Sequence, residues 1–340
     1  MAYGTVNADV VQSSVSGVSL GAGNASIMKN RIINGAMNLD QYNAGASKGT
    51  TTLYSNMAID RWFASYSQTS KFTTQQNAGS VTPPAGFANY LGITSSAATS
   101  LGASDYFQIG QAIEGVNTYD LAWGTANAKT ITISAWVYSS LTGTFGGAVK
   151  NAAGNRSYAF TYSIPVANTW TQISVTIAGD TTGTWVGATN GAGLTILFGL
   201  GSGPTYSGTA GVWTAGNLNT ATGAVSVVGT NGATWYVTGV QLEVGSVATG
   251  FEYRMYTTEV QLCQRYYTTG RADTRGGLNA SNQIGYQYQF YVQMRTTPTI
   301  TITTTSGTPN QAYQTPNSFL FYGTTGSTEN SATWVATAEL

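Results

Sequence analysis

The sequence predicts an all-β protein of the sandwich type, and three observations predict it. Short runs of alternating apolar and polar residues recur along the chain, glycine-rich turns separate them, and helical spacing is confined almost to one segment. Forty-two glycines among 340 residues suit the bends and bulges such a fold needs.

Residues 1–30 are small and polar, with isolated Val10, Val11, Val15, Val18 and Leu20. They carry too little apolar surface for a core of their own and are read as an extended N-terminal arm. Residues 31–256 form the main sandwich. In residues 130–137, Ile131, Ile133, Ala135 and Val137 share one face, while Thr132, Ser134 and Trp136 share the other. The same alternation marks residues 171–177 and 195–200, and residues 141–147, 178–183 and 199–208 are read as glycine-rich turns. Within 257–340, Thr258 and Gln261 suggest a capping box. Val260, Cys263 and Tyr267 then share a helical face that Gly270 ends. Strand patterns return at 286–292 and 299–303, and residues 332–340 are expected to close a small C-terminal β region.

Composition narrows the function. Thirteen basic and thirteen acidic residues cancel and form no cluster, so nothing steers the chain toward nucleic acid. Charged residues make up 8% of the chain, against about 25% in ordinary domains, leaving a neutral polar surface suited to packing against other subunits. Without histidine, Ser–His–Asp and Cys–His catalysis and His-ligated metals are excluded. Cys263 stands alone, so no intrachain disulfide forms, and no metal site or cofactor is expected. Residues 1–20 lack the features of a signal peptide, and no apolar run is long enough for a membrane helix, so no membrane insertion is expected.

Several motifs recur in combination: Asn30-Arg31-Ile32-Ile33-Asn34-Gly35-Ala36-Met37, Asp40-Gln41, Asp60-Arg61-Trp62, Gln111-Ala112-Ile113-Glu114-Gly115 and Trp123-Gly124-Thr125-Ala126-Asn127. Val240-Gln241-Leu242-Glu243, Gly250-Phe251-Glu252-Tyr253-Arg254 and Cys263-Gln264-Arg265-Tyr266-Tyr267 complete the set. Together, over roughly residues 26–267, they resemble the β-sandwich of bacteriophage tail-fibre and minor virion proteins. That resemblance implies a jelly roll similar to carbohydrate-binding modules, carried on a phage particle. Gly250 and Met255 stand where the family usually or often has Pro. Physically, Trp62 is expected to fill the core, as is Trp136. Val240 and Leu242 should face inward, with Gln241 and Glu243 outward or at the rim.

Sugar recognition needs flat apolar faces and hydroxyl partners. Trp185, Tyr206 and Trp213 lie among Gly, Asn and Thr rather than in alternating strands, and they are the expected glycan-binding residues. The alternative is that these rings plug the ends of the sandwich or an interface. A glycosidase would need two carboxylates, for which Asp105, Glu114, Asp120 and Asp180 are the candidates by location, without supporting spacing. The expectation is therefore a non-enzymatic virion protein of tail-fibre or receptor-binding type, displaying a surface for a host glycan. It is expected to be a homotrimer, as the resemblance implies, and to join other phage virion proteins through residues 1–30. A head fibre or capsid-decorating protein is the alternative, and a polysaccharide depolymerase the third reading.

Overall fold

A computed structural model describes residues 28–51, 56–275, 285–323 and 329–340. Most of the expected N-terminal arm, residues 1–27, lies outside them. The chain divides into two compact units.

The first unit comprises residues 1–38, 45–58 and 62–253, and two antiparallel sheets dominate it. One runs in the order Lys48–Gly49, Phe72–Gln76, Leu91–Ser95, Thr234–Val244, Ile131–Ser139, Thr171–Ile177. The other runs Trp213–Thr214, Ser157–Ile164, Gly143–Lys150, Ala192–Ser202, Tyr106–Glu114, Trp62–Tyr66, Asn56–Ile59. Their inner faces interlock through aromatic rings. Trp235 of the first sheet lies 5.4 Å from Phe198 of the second and donates to the Tyr162 hydroxyl at 3.0 Å. Phe72 and Phe107 meet edge to face at 6.3 Å. The fold is thus an all-β sandwich, with Ile131, Ile133, Ala135 and Val137 buried in it as the alternation requires.

Four expectations are corrected. Residues 143–147, expected as a turn, begin the strand Gly143–Lys150. Gly147 is there because a Cβ would stand 2.2 Å from the Leu197 carbonyl oxygen of the next strand. Residues 199–202, also expected as a turn, finish the strand Ala192–Ser202, which passes a register shift between Gly199 and Gly201. Gln241 and Glu243 are buried rather than outward. A register shift between Thr238 and Gln241 turns this stretch; Gln241 Nε2 donates to Glu243 Oε1 at 2.8 Å, the Glu252 N–H to Gln241 Oε1, and the Thr249 N–H and hydroxyl to Glu243, satisfying both groups inside. Trp136 is half-buried on the face opposite the core, whereas Trp62 is fully buried.

The second unit comprises residues 39–44, 59–61 and 254–340. Its helix, Tyr256–Gln264, starts two residues before the expected capping box, with Met255 at the N-cap and no side-chain cap bond. It ends before Tyr267, because Tyr267–Arg275 pairs along its whole length with Glu329–Thr337. Tertiary pairing overrides the helical spacing there. Glu329–Thr337 is the central strand of its sheet, flanked on the other side by Thr299–Ser306. A second sheet runs Gly285–Gln289, Ser318–Gly323, Pro309–Ala312, and Phe319, Phe321, Trp334 and Met294 fill the core. Residues 39–44 and 59–61 join this unit through Gln41, whose backbone N–H and side chain both donate to Asp60, and through Arg61, which pairs with Glu339 and lies 3.5 Å over the Tyr266 ring. Among the described residues no helix is long and apolar enough to cross a membrane.

Candidate functional site: a tryptophan cluster beside an open pocket

Three loops of the sandwich unit bring three tryptophans together. After the strand Tyr106–Glu114 the chain makes 3-10 turns at Gly115–Asn117 and Tyr119–Leu121, then reverses at Ala122 with φ 52°. This delivers Trp123, whose Nε1 donates to the Lys129 carbonyl at 2.7 Å. The loop after Thr171–Ile177 delivers Trp185, held by Nε1 on Asp180 Oδ2 at 3.1 Å. Trp213 sits in a two-residue strand opposite Tyr158 and donates to the Ala178 carbonyl at 2.8 Å. The rings meet edge to face: Trp123–Trp185 at 4.7 Å, Trp123–Trp213 at 5.2 Å and Trp185–Trp213 at 5.5 Å. Quadrupoles favour this arrangement.

Asp180 fixes the cluster. It is buried and accepts from Arg156 Nε at 2.8 Å and Nη2 at 2.7 Å, and also from Trp185 and Thr182. Burial opposes its ionisation, yet the Arg156, Trp185 and Thr182 bonds together hold its carboxyl below the usual range. Arg156 also stands 5.9 Å from the Trp213 ring centre.

Beside the cluster opens a pocket of about 360 Å³, its open mouth included, walled by Trp123, Trp185, Tyr119, Val186 and Thr118, with Leu121, Leu194, Gly187 and Gly193 completing it. Tyr119 is 58% exposed. Aromatic and aliphatic side chains line it together with exposed polar groups, the mixture a small-ligand site uses.

Of the residues expected from the sequence, Trp185 lines the pocket and Trp213 packs against Trp185 from behind the lining. Tyr206 pairs instead with Tyr106 at 5.1 Å, in the 3-10 turn Pro204–Tyr206. Sequence reasoning missed Trp123 and Tyr119. Trp123 lies in the same kind of Gly-, Thr- and Asn-rich loop as Trp185, so the criterion that found one would have found both. A second aromatic cluster, Tyr90, Tyr138, Trp170 and Tyr236, lies on the outward face of the other sheet. Tyr90 and Tyr236 are buried there, Tyr138 and Trp170 are half-buried, and Trp170 donates to the Thr82 carbonyl.

The candidate carboxylates are engaged elsewhere. Asp120 makes a two-pronged pair with Arg31 at 2.8 and 2.7 Å, and that guanidinium holds its carboxyl low. Asp105 accepts from Ser67, Gln68 and the Gly102 N–H; these bonds outweigh burial and hold it low as well. Glu114 is fully buried. Among the described residues, no three Cys, Asp or Glu side chains come together as metal ligands would.

No family model matches the sequence, and no curated protein matches it. Among solved structures, the enzymatically active domain of tailspike protein 4 of bacteriophage CBA120 is similar at 12% identity and TM-score 0.34 over 64% of this chain. This chain spans only 22% of that one. A structure described as CBM4 is similar at 15% identity and TM-score 0.32, covering 62% of this chain and 98% of that one. The family 11 carbohydrate-binding module from Clostridium thermocellum, solved with a β-1,3-1,4-mixed-linked tetrasaccharide, is similar at 14% identity and TM-score 0.28, covering 59% and 100%. At these scores the likeness is partial.

Proposed function

We propose that this protein is a glycan-binding structural component of a bacteriophage particle, of tail-fibre or receptor-binding type. The observation that carries the binding role is the pocket walled by Trp123, Trp185 and Tyr119. Rings fixed by their own N–H bonds present apolar faces to sugar C–H groups with little ordering cost on binding. The particle role rests on the sequence motifs and on the 8% charged composition. The sandwich is a jelly roll in this reading. In support, successive strands cross between sheets: Trp62–Tyr66 and Tyr106–Glu114 lie in one, Leu91–Ser95 and Ile131–Ser139 in the other.

The role is adhesive rather than catalytic. A general acid needs a raised carboxyl pKa and access to the substrate; Asp105, Asp120 and Asp180 are held low, while Glu114 and Asp60, the latter with a raised carboxyl, are buried. Adhesion comes from several weak sites on one rigid homotrimer, which gain effective concentration. Residues 1–30 attach the trimer to other virion proteins.

Glycan-array binding of the purified protein, with Trp185→Ala alongside, tests the binding role. Immunogold electron microscopy of phage particles tests the location. An array without any bound glycan, or particles without label, would overturn the respective half.

A further inference from the structure

We infer that the pocket takes an uncharged saccharide, and this rests on the glycan-binding reading above. None of its nine wall residues carries a charge: six have aromatic or aliphatic side chains, two are glycines, and the side-chain oxygens are the Thr118 and Tyr119 hydroxyls. The nearby charges are already matched. Arg156 is committed to Asp180 by two bonds and Arg31 to Asp120 by two bonds. Lys129, exposed one loop turn away, adds its field to the same Asp120.

The energetics follow from that wall. A carboxylate or sulfate entering the pocket would give up part of its water with no cation in the wall to replace it. Ring faces carry the negative end of the aromatic quadrupole, which repels an anion further. A neutral pyranose has no such cost. Its C–H face can lie on Trp185 or Tyr119. Its hydroxyls can meet backbone groups and the Thr118 hydroxyl, whose bonds to the Glu114 and Gly115 carbonyls are long, at 3.3 and 3.4 Å. Aromatic walls also favour cations, so a cationic amino sugar is the competing ligand that the test must include.

Gly187 provides a way to close the pocket without removing a tryptophan. A Cβ added there meets no atom within 4 Å, and its φ is outside the left-handed region. Gly187→Leu should therefore fold normally and adds a bulky side chain at the pocket wall.

The experiment is an array holding neutral hexose and N-acetylhexosamine oligosaccharides, uronic-acid and sulfated ones, and de-N-acetylated cationic ones, probed with wild type and Gly187→Leu. The expected result is binding confined to neutral probes, insensitive to salt, and weakened roughly tenfold or more by Gly187→Leu. Preferential binding of acidic or cationic probes that Gly187→Leu abolishes would overturn the uncharged-ligand inference while leaving the glycan site standing. Binding of no probe, or binding that Gly187→Leu and Trp185→Ala both leave intact, would overturn the glycan site itself.

Discussion

Gln111 binds both backbone groups of Ile33: its Oε1 accepts from the Ile33 N–H at 2.9 Å and its Nε2 donates to the Ile33 carbonyl at 2.8 Å. The pairing explains why two motifs some eighty residues apart occur together. Other motifs converge on the same segment. Asn30 accepts from the Leu242 N–H and donates to the Val240 carbonyl, Gly35 accepts from the Val240 N–H, and Trp62 donates to the Asn34 carbonyl. Gly35 allows this approach, since a Cβ would stand 2.2 Å from the Val240 oxygen. Replacing Gln111 by Leu would strand a buried N–H and a buried C=O. The expected loss is about 2–6 kcal/mol of unfolding free energy, at roughly 1–3 kcal/mol per unsatisfied group. Urea melts read it directly, and a loss below about 0.5 kcal/mol, the range of an ordinary surface change, would contradict the role.

Trp62 and Trp136 separate core from surface. Trp62 is fully buried and touches Phe198 at 6.4 Å. Trp62→Ala should cost about 3–5 kcal/mol. Trp136, half-buried on the opposite face, should cost clearly less on thermal or chemical melts. Equal losses would mean that Trp136 is packed as a core residue after all.

Much of this fold is legible in the sequence because period-two alternation is set by burial alone. The alternation at residues 171–177 predicts a strand, and one forms over Thr171–Ile177. Glycine misleads: Gly147 and Gly199 look like turn residues but lie in strands where a neighbour leaves no room for a side chain. Buried polar groups mislead as well. Gln241 and Glu243 alternate as rim residues would, and their mutual bond, with the Glu252 N–H on Gln241 and the Thr249 N–H and hydroxyl on Glu243, makes burial tolerable. At the site, Trp185 is legible from its loop composition. Its contact with Trp123 is not, because it depends on three loops whose proximity no local pattern encodes.

The three expected binding rings should behave differently from one another. Trp185→Ala opens the pocket wall and should weaken glycan binding by about 1–3 kcal/mol, if the ring behaves like other stacked aromatic contacts. Trp213→Ala, behind the lining, should act more weakly, through the loss of its support for Trp185. Tyr206→Ala, with its ring on Tyr106, should leave binding unchanged. Trp123→Ala, at the ring that the sequence did not single out, should weaken binding as Trp185→Ala does. It should also lower stability by about 3–5 kcal/mol, since Trp123 is 7% exposed. Calorimetric titration with a glycan found on the array checks all four, and a Tyr206 effect as large as that of Trp185 would move the site.

The strand Thr299–Ser306 pairs with Glu329–Thr337 on one side and with no strand on its other side among the described residues. It contains no charged residue, and Thr299, Thr301 and Thr303 are exposed. Edges of this kind are usually blunted by charges, as Arg271 and Asp273 do on the opposite edge strand Tyr267–Arg275. An edge left open in this way can pair with another copy of the chain. Light scattering should report a trimer for the wild type and smaller species for Thr301→Lys with Thr303→Lys. A wild-type monomer at micromolar concentration would refute the assembly.

Acid should strengthen the second unit through Asp60. Burial raises the Asp60 carboxyl from the ordinary 3.8 to about 6, against the opposing effect of its bonds from Gln41. The folded protein therefore holds this proton more tightly than the unfolded chain. The resulting stability is fully present below the unfolded pKa and is lost as pH rises through the folded one. Two units of pKa correspond to about 3 kcal/mol. Asp105, Asp120 and Asp180, whose carboxyls are held low, act in the opposite sense at lower pH, so the total stability curve mixes both effects. Asp60→Asn isolates one of them, because Asn does not titrate. The wild-type stability measured against Asp60→Asn should fall by about 3 kcal/mol between about pH 4 and pH 7, the window set by the two pKa values. A difference that stays flat over that window would show that Asp60 keeps an ordinary carboxyl in the folded protein, and one that rises with pH would show a lowered one.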